Sequence, residues 1–379
     1  MRTILYHIIL FKLFIACSAS ALPEEVFFRP SVTDPTITES NQRHYAVVDS
    51  AVASRDRLVL FLPGTRGTPF GYRQFPKNAA TLGFHSLGLM YPNENAINLL
   101  CREFAPLDPD AAGNARLEVI DGVDRVNFLT VDSINSIQNR VIKALQYLHE
   151  TYPLHGWDQY FIGDGVLWNK VIVCGHSQGA GMAAMLAKTR ITDRCIMFAG
   201  TDWWEGGTPP RPYNWMFTSP QTPVDHWYLF AHERDQIIDL SYIQDASEAL
   251  DLSRYGAHER VESSSNGYKF RHFLSTDLEP NPESPNNYHG CPVVDVALPM
   301  ESDGVTPVFK TVWDYLLLQD QPLVKIEATS TSINIIFSPG TLEHSEDLIN
   351  WTPQLLVNSP LVLPLDTLPH RSFYRLRTP

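Results

Sequence analysis

The pentapeptide Gly175-His176-Ser177-Gln178-Gly179 constrains the fold of this chain more than any other stretch. It follows directly on Lys170–Cys174, a short apolar run of the kind that forms a strand covered on both faces. Ala180–Lys188, rich in Ala and Met, comes next and reads as a helix. A turn from a buried strand straight into a helix is so tight that only small residues fit beside its apex. Glycines stand at 175 and 179, and Gly181 suits close packing of the helix on the strand. Such a turn holds the apical serine in a strained conformation with its hydroxyl pointing out of the sheet. The amide of Gln178, at the helix N-terminus, then faces any negative charge that develops there.

Strands and helices alternate around this turn. Leu58–Leu62, His85–Met90, Cys195–Ala199 and Trp227–Ala231 are further apolar runs, and Pro63-Gly64 stops the first of them. Asp132–Tyr152 places Ile134, Ile137, Val141, Ile142, Leu145 and Leu148 on one helical face, with Asp132 or Ser133 to cap it and Pro153 behind it. Val308–Leu318 reads as the last helix. This order predicts an α/β fold, a mostly parallel sheet with helices on both faces. After Gln319–Pro322 the pattern changes. Val324–Phe337, Leu355–Leu365 and Phe373–Leu376 show no helical period and read as strands. The expected organisation is a leader over 1–21, a catalytic domain over 22–320 and a small all-β C-terminal module over 323–379, with Leu22–Gln42 as an extended lead-in.

The leader reading rests on Arg2 and Lys12 around the apolar segment Ile4–Ala16, and on Ala19-Ser20-Ala21 as a cleavage site. It predicts an exported protein, secreted or periplasmic. Lipid attachment at Cys17 is the weaker alternative. No later run has the length of a membrane span, so stable membrane insertion is not expected. With 44% hydrophobic residues the chain can bury a large core, which excludes a mainly disordered protein. Its net charge of −13 repels phosphate backbones and argues against general nucleic-acid binding. Cys174 and Cys195 fall in buried runs, whereas Cys101 and Cys291 fall in loop-like regions where a disulfide is open to them. No CxxC or His/Cys cluster has metal-ligand spacing, so no metal or cofactor is expected.

A serine hydroxyl needs a histidine base, and the histidine needs a carboxylate to orient it. In a strand–turn–helix site of this kind the chain order is Ser, acid, His. Asp235, just past the strand Trp227–Ala231, is the first choice for the acid, and its plainer reading is a helix N-cap before Gln236-Ile237-Ile238, a role it could also fill. Asp202 is the runner-up, with Glu233 and Asp239 behind it. For the base, the loop before the last helix offers His289. His272 lies in a segment that looks packed, His258 is a lesser candidate, His344 and His370 belong to the tail, and His176 reads as a structural hydrogen-bonder. Oxyanion donors are expected from the amides of Gln178 and of Thr65 or Arg66, with Thr65 preferred. Tyr91, Trp203, Trp204 and Trp215 cluster past strand ends, where open α/β sheets bind ligands, and are the candidate substrate-pocket residues beside a packing role.

From about Leu58 to Leu318 the chain resembles secreted bacterial α/β-hydrolases of the lipase/esterase type. The matching residues are Leu60-Phe61-Leu62-Pro63-Gly64-Thr65, Gly175-His176-Ser177-Gln178-Gly179-Ala180-Gly181, Ala231-His232-Glu233-Arg234-Asp235 and His289-Gly290. The resemblance implies the α/β-hydrolase fold, a Ser177/Asp235/His289 triad and hydrolysis of carboxylic esters through an acyl-enzyme. Its partner is an ester, either a small molecule or an extracellular polymer. Two departures are the long segments Asn93–Val131 and Leu240–Pro285, which suit a cap or specificity loops. The tail, with Leu342–Leu348, Asn350-Trp351-Thr352 and Phe373–Arg377, is similar to a small β-module that ends some exported bacterial proteins. A serine peptidase, and a non-catalytic surface or carbohydrate-binding protein on the same scaffold, are the competing readings.

Overall fold

A computed structural model describes residues 23–200, 202–264, 268, 271–318, 324–328, 331–337, 341–354, 361–364 and 372–377. The leader, Cys17, His370 and the break at 319–322 lie outside the described residues. Among the described residues, the central sheet has nine strands: β1 (Glu24–Phe28), β2 (His44–Val48), β3 (Leu58–Leu62), β4 (His85–Gly88), β5 (Val171–His176), β6 (Arg194–Phe198), β7 (Trp227–His232), β8 (Glu259–Arg260) and β9 (Phe273–Thr276). Their order across the sheet is β1-β2-β4-β3-β5-β6-β7-β9-β8. Every neighbouring pair from β4 to β8 runs parallel, while β1 and β2 join antiparallel at the edge. This is the α/β-hydrolase arrangement. The segment read as an extended lead-in therefore supplies an edge strand: Val26 pairs with Ala46, and its first two residues, Glu24 and Glu25, are exposed, so it lacks the continuous apolar run of the inner strands.

Both faces of the sheet are covered, and β3 shows how. Leu58, Leu60 and Leu62 pack into one core with helices α3 (Ala111–Asp121), α4 (Ile137–Thr151) and α5 (Gln178–Thr189). Val59 and Phe61 point the other way, into a second core with α1 (Gln74–Thr81) and α7 (Lys310–Leu318). Full burial on two faces is why the strand reads as a continuous apolar run rather than an alternation. The two cores also settle the cysteines. Cys101 packs in the first and Cys291 in the second, so the sheet separates them and all four described cysteines are free and buried.

Local caps shift the expected boundaries. The helix expected from Asp132 begins at Ile137, because Ser136 is its N-cap and accepts from the Asn139 amide. Residues 133–135 form a turn, and Ile134 is 39% exposed rather than buried. Of the two expectations for the segment between β4 and α4, a cap or a specificity loop, the helical one fits. The segment folds into α2 (Ile97–Phe104) and α3. The segment after β7 carries α6 (Leu240–Ala249), β8 and β9, so the last core strand lies later than Trp227–Ala231. In the tail, Val324–Ala328, Ser332–Phe337 and Leu361–Pro364 form one antiparallel sheet. Thr341–Ser345 forms another between Thr352–Pro353 and Phe373–Arg377. No helix among the described residues is long and apolar enough to cross a membrane.

Candidate active site

Ser177 sits at the apex between β5 and α5 with φ 55° and ψ −120°, a conformation that costs a non-glycine residue about 1–3 kcal/mol. The surroundings over-determine it. The Ser177 amide donates to the Phe198 carbonyl at 2.9 Å, and the Ser177 carbonyl accepts from the Ala180 amide at 3.0 Å. A side chain at Gly175 would collide with the Gly179 carbonyl, and one at Gly179 with the Leu62 carbonyl. Gly181 has a different purpose from the one its position suggests. A methyl group there would strike the guanidinium of Arg116, so this glycine makes room for a side chain rather than for the strand.

The loop after β3 closes against the elbow. The Asn93 side-chain amide donates to the carbonyls of Gly64 at 2.7 Å and Gly67 at 2.9 Å, which holds the turn. The Arg66 amide donates to the Asn93 carbonyl at 2.9 Å, so of the two oxyanion candidates Arg66 is committed elsewhere. Thr65 lines the same cavity as Ser177 and Gln178. The Gln178 amide is the first of its helix and has no intrahelical acceptor. The Gln178 side-chain oxygen accepts from the Ile97 amide at 2.8 Å and the Thr65 hydroxyl at 3.3 Å, which ties the loop, α2 and the elbow together.

Asp235 and His289 meet across the ends of the chain segments that carry them. Asp235 Oδ2 lies 2.7 Å from His289 Nδ1, and the Asp235 side chain has no exposed surface. Its Oδ1 accepts from the amides of Ile237 at 2.8 Å and Ile238 at 2.9 Å, which closes a local turn and not the helix expected there, so the turn and the pairing with histidine occupy separate oxygens. Asp239 caps α6. The carboxylate holds the Nδ1 proton and leaves His289 Nε2 free to act as a base. The His289 amide donates to the Gln236 side-chain oxygen at 2.9 Å, and its carbonyl lies 2.9 Å from His176 Nε2.

The other candidates have different partners. Asp202 is wholly buried against Arg116, in a two-pronged ion pair, and accepts from Trp215 Nε1 at 3.0 Å. Burial by itself would lower the Arg116 pKa, but the charge of Asp202 overcomes this and raises it. Arg116 in turn donates to the Gln178 carbonyl at 3.0 Å. Glu233 pairs with Arg260 and accepts from Ser275. His272 is stacked between Tyr228 and Tyr255, with Nδ1 at 2.7 Å from the Trp227 carbonyl. His258 contacts Gln244, and His344 contacts Ser372 in the tail.

A cavity of about 430 Å³ opens over Ser177, Gln178, Thr65 and His289. Its walls are Ile97, Leu99, Ile237, Ile238, Trp203 and Tyr242, and the Trp203 and Tyr242 rings stack at 4.1 Å. Of the four aromatics read as pocket residues, only Trp203 lines it. Tyr91 is fully buried and donates to the Pro63 carbonyl at 2.7 Å. Trp215 serves Asp202, and Trp204 donates to the Pro106 carbonyl at 3.0 Å beneath the Arg211 guanidinium. These three give their polar edge to a protein acceptor and so pack as structure. The aliphatic lining on α2 and after Asp235 carries no sequence signal, because exposed isoleucines and leucines are ordinary on any surface.

No protein-family model matches the chain, and no curated protein matches it. Among solved structures it is similar to TT1662 from Thermus thermophilus, over 68% of this chain and 89% of that one, with 13% identity and a TM-score of 0.33. It is also similar to an alpha-beta serine hydrolase homologue from Coxiella burnetii, over 68% and 88% of the two chains, with 10% identity and a TM-score of 0.34. At that distance the fold rests on the strand order and the elbow themselves.

Proposed function

We propose that the protein is an exported serine hydrolase that cleaves carboxylic esters through an acyl-enzyme. The observation that carries this reading is the Asp235–His289 pair at 2.7 Å, with His289 on the wall of the cavity that also holds the strained Ser177 and Asp235 buried behind it. Ser177 Oγ attacks the ester carbonyl while His289 Nε2 takes its proton. The amides of Gln178 and Thr65 receive the oxyanion. His289 then returns the proton to the leaving alcohol, and water repeats the sequence on the acyl-enzyme. Asp235 keeps the imidazole in the required tautomer and stabilises its charged form. A cavity of about 430 Å³ with aliphatic and aromatic walls is at the small end of ligand sites, so compact acyl groups are the favoured substrates.

The test is turnover of p-nitrophenyl esters from acetate to palmitate by the purified protein, beside Ser177→Ala and His289→Ala. The expected result is hydrolysis that declines towards the long chains, with kcat lost by roughly 10⁶-fold in both variants. Turnover that survives Ser177→Ala would rule the reading out. Cleavage of peptide amides in preference to esters would move it to a peptidase. Export is tested by the N-terminus of the secreted protein, expected at Leu22.

A further inference from the structure

The residue between Gly175 and the nucleophile is buried and makes two hydrogen bonds that lead to opposite sides of the site. His176 Nδ1 lies 3.0 Å from the Tyr72 hydroxyl, and His176 Nε2 lies 2.9 Å from the His289 carbonyl oxygen. The Tyr72 oxygen also accepts from the Gly64 amide at 3.2 Å. The directions follow from chemistry. A carbonyl has no proton to give, so His176 Nε2 carries one and donates it to His289. Burial, and then the neighbouring His289, push the His176 pKa down to about 3, so the ring is neutral and Nδ1 is bare. The Tyr72 hydroxyl must therefore donate to Nδ1, and burial pushes its own pKa up to about 12, which keeps that proton in place. The result is a single file of donors running from the loop after β3, through Tyr72 and His176, to the backbone of His289. Bonds aligned head to tail in a dry interior reinforce one another.

The same contacts are tight in space. A methyl group at Gly64 would come within 3.1 Å of both His176 Nδ1 and the Ser177 Cβ, and the His176 and His289 rings are 4.7 Å apart. The oxyanion loop, the residue before the nucleophile and the base thus share one rigid joint. His289 is held at three points: its ring by Asp235, its amide by Gln236 and its carbonyl by His176.

We propose that Tyr72 and His176 are positioning residues that act as one unit, coupling the oxyanion loop at Gly64 to the backbone of His289. This rests on the reading of His289 as the base. Both residues border the cavity, but their polar atoms are engaged by protein partners, Gly64 and each other on one side and the His289 carbonyl on the other. Their effect is on the geometry of attack, where a misplacement of about 1 Å costs about 10²-fold in rate.

Two measurements test this. In ¹⁵N-histidine-labelled wild type, long-range ¹H–¹⁵N spectra should show His176 as the neutral Nε2–H tautomer, unchanged between pH 7.5 and 5. An Nδ1–H tautomer, or titration near the ordinary histidine pKa, overturns the proposal. In ester kinetics, Tyr72→Phe and His176→Gln should each lower kcat by about 10–100-fold with KM nearly unchanged, and the double variant should cost no more than the worse single one. His176→Gln, which keeps a donor for the His289 carbonyl, should retain more activity than His176→Ala. Independent, additive losses, or wild-type kcat in both single variants, overturn it. If no ester is turned over at all, the proposed activity falls, and the imidazole spectrum then decides the hydrogen-bond chain by itself.

Discussion

The loops after β6 and β7 offer a controlled comparison. Each leaves the C-terminal end of a parallel strand, the strands are neighbours, and each presents a buried aspartate side chain within a few residues: Asp202 in one, Asp235 in the other. By residue type and topology either can orient a catalytic histidine. Asp202 instead meets Arg116, delivered by the helical segment inserted after β4, while Asp235 meets His289. The insertion decides the outcome. Once a buried guanidinium lies beside Asp202, that carboxylate is spent on neutralising it, and the pair props the Gln178 carbonyl from behind. The difference teaches that a carboxylate's role is set by the partner that reaches it, not by its position alone. One loop supports the elbow from behind, and the other carries the carboxylate that meets His289.

The largest effect is expected from Asp235→Asn. An asparagine retains an acceptor for the Ile237 and Ile238 amides but holds the wrong histidine tautomer, so kcat should fall by about 10⁴-fold while the denaturation midpoint barely moves. Asp202→Ala should do the reverse. It leaves Arg116 as an unpaired buried cation and should cost about 3–5 kcal/mol in denaturant unfolding. A large loss of activity in a fully stable Asp202→Ala protein would break the comparison. Gly181→Ala sharpens it without touching either aspartate. The added methyl displaces Arg116 from Asp202 and should cost about 1–3 kcal/mol. The smallest effect is expected from Trp215→Phe, which removes one hydrogen bond to Asp202 and should cost about 1 kcal/mol with little change in kcat.

Much of this molecule was legible in the chain. The five apolar runs at Leu58, His85, Lys170, Cys195 and Trp227 all became strands of the sheet, because a strand buried on both faces has no freedom to be polar. The elbow was legible for a related reason: only a pattern of small residues can pass through so tight a turn. Other elements were hidden, and three show why. β1 and β8 are edge strands with charged, partly exposed residues, so they lack the continuous apolar run of the inner strands. The cap of α4 at Ser136 competes with two earlier polar residues of the same type, and local propensity does not choose among them. The pocket walls were misjudged because tryptophan is conspicuous in a sequence whether it lines a cavity or packs beneath one. Trp215 and Trp204 give their indole N–H to Asp202 and Pro106, contacts separated from them by 13 and 98 residues.

The amino-acid sequence alone determined the layers, the strand–turn–helix at Ser177 and the short set of acids and histidines open to it. These depend on local sterics and on which residues tolerate burial, and both are written in neighbouring positions. Tertiary structure alone decided which members of that set meet. Asp235 reaches His289 across 54 residues, Asp202 reaches Arg116 across 86, and His176 reaches the His289 carbonyl across 113. Contacts of that span are set by how the helices stack on the two faces of the sheet. No local pattern encodes them, so the roles of these side chains emerge only when the chain has closed around them.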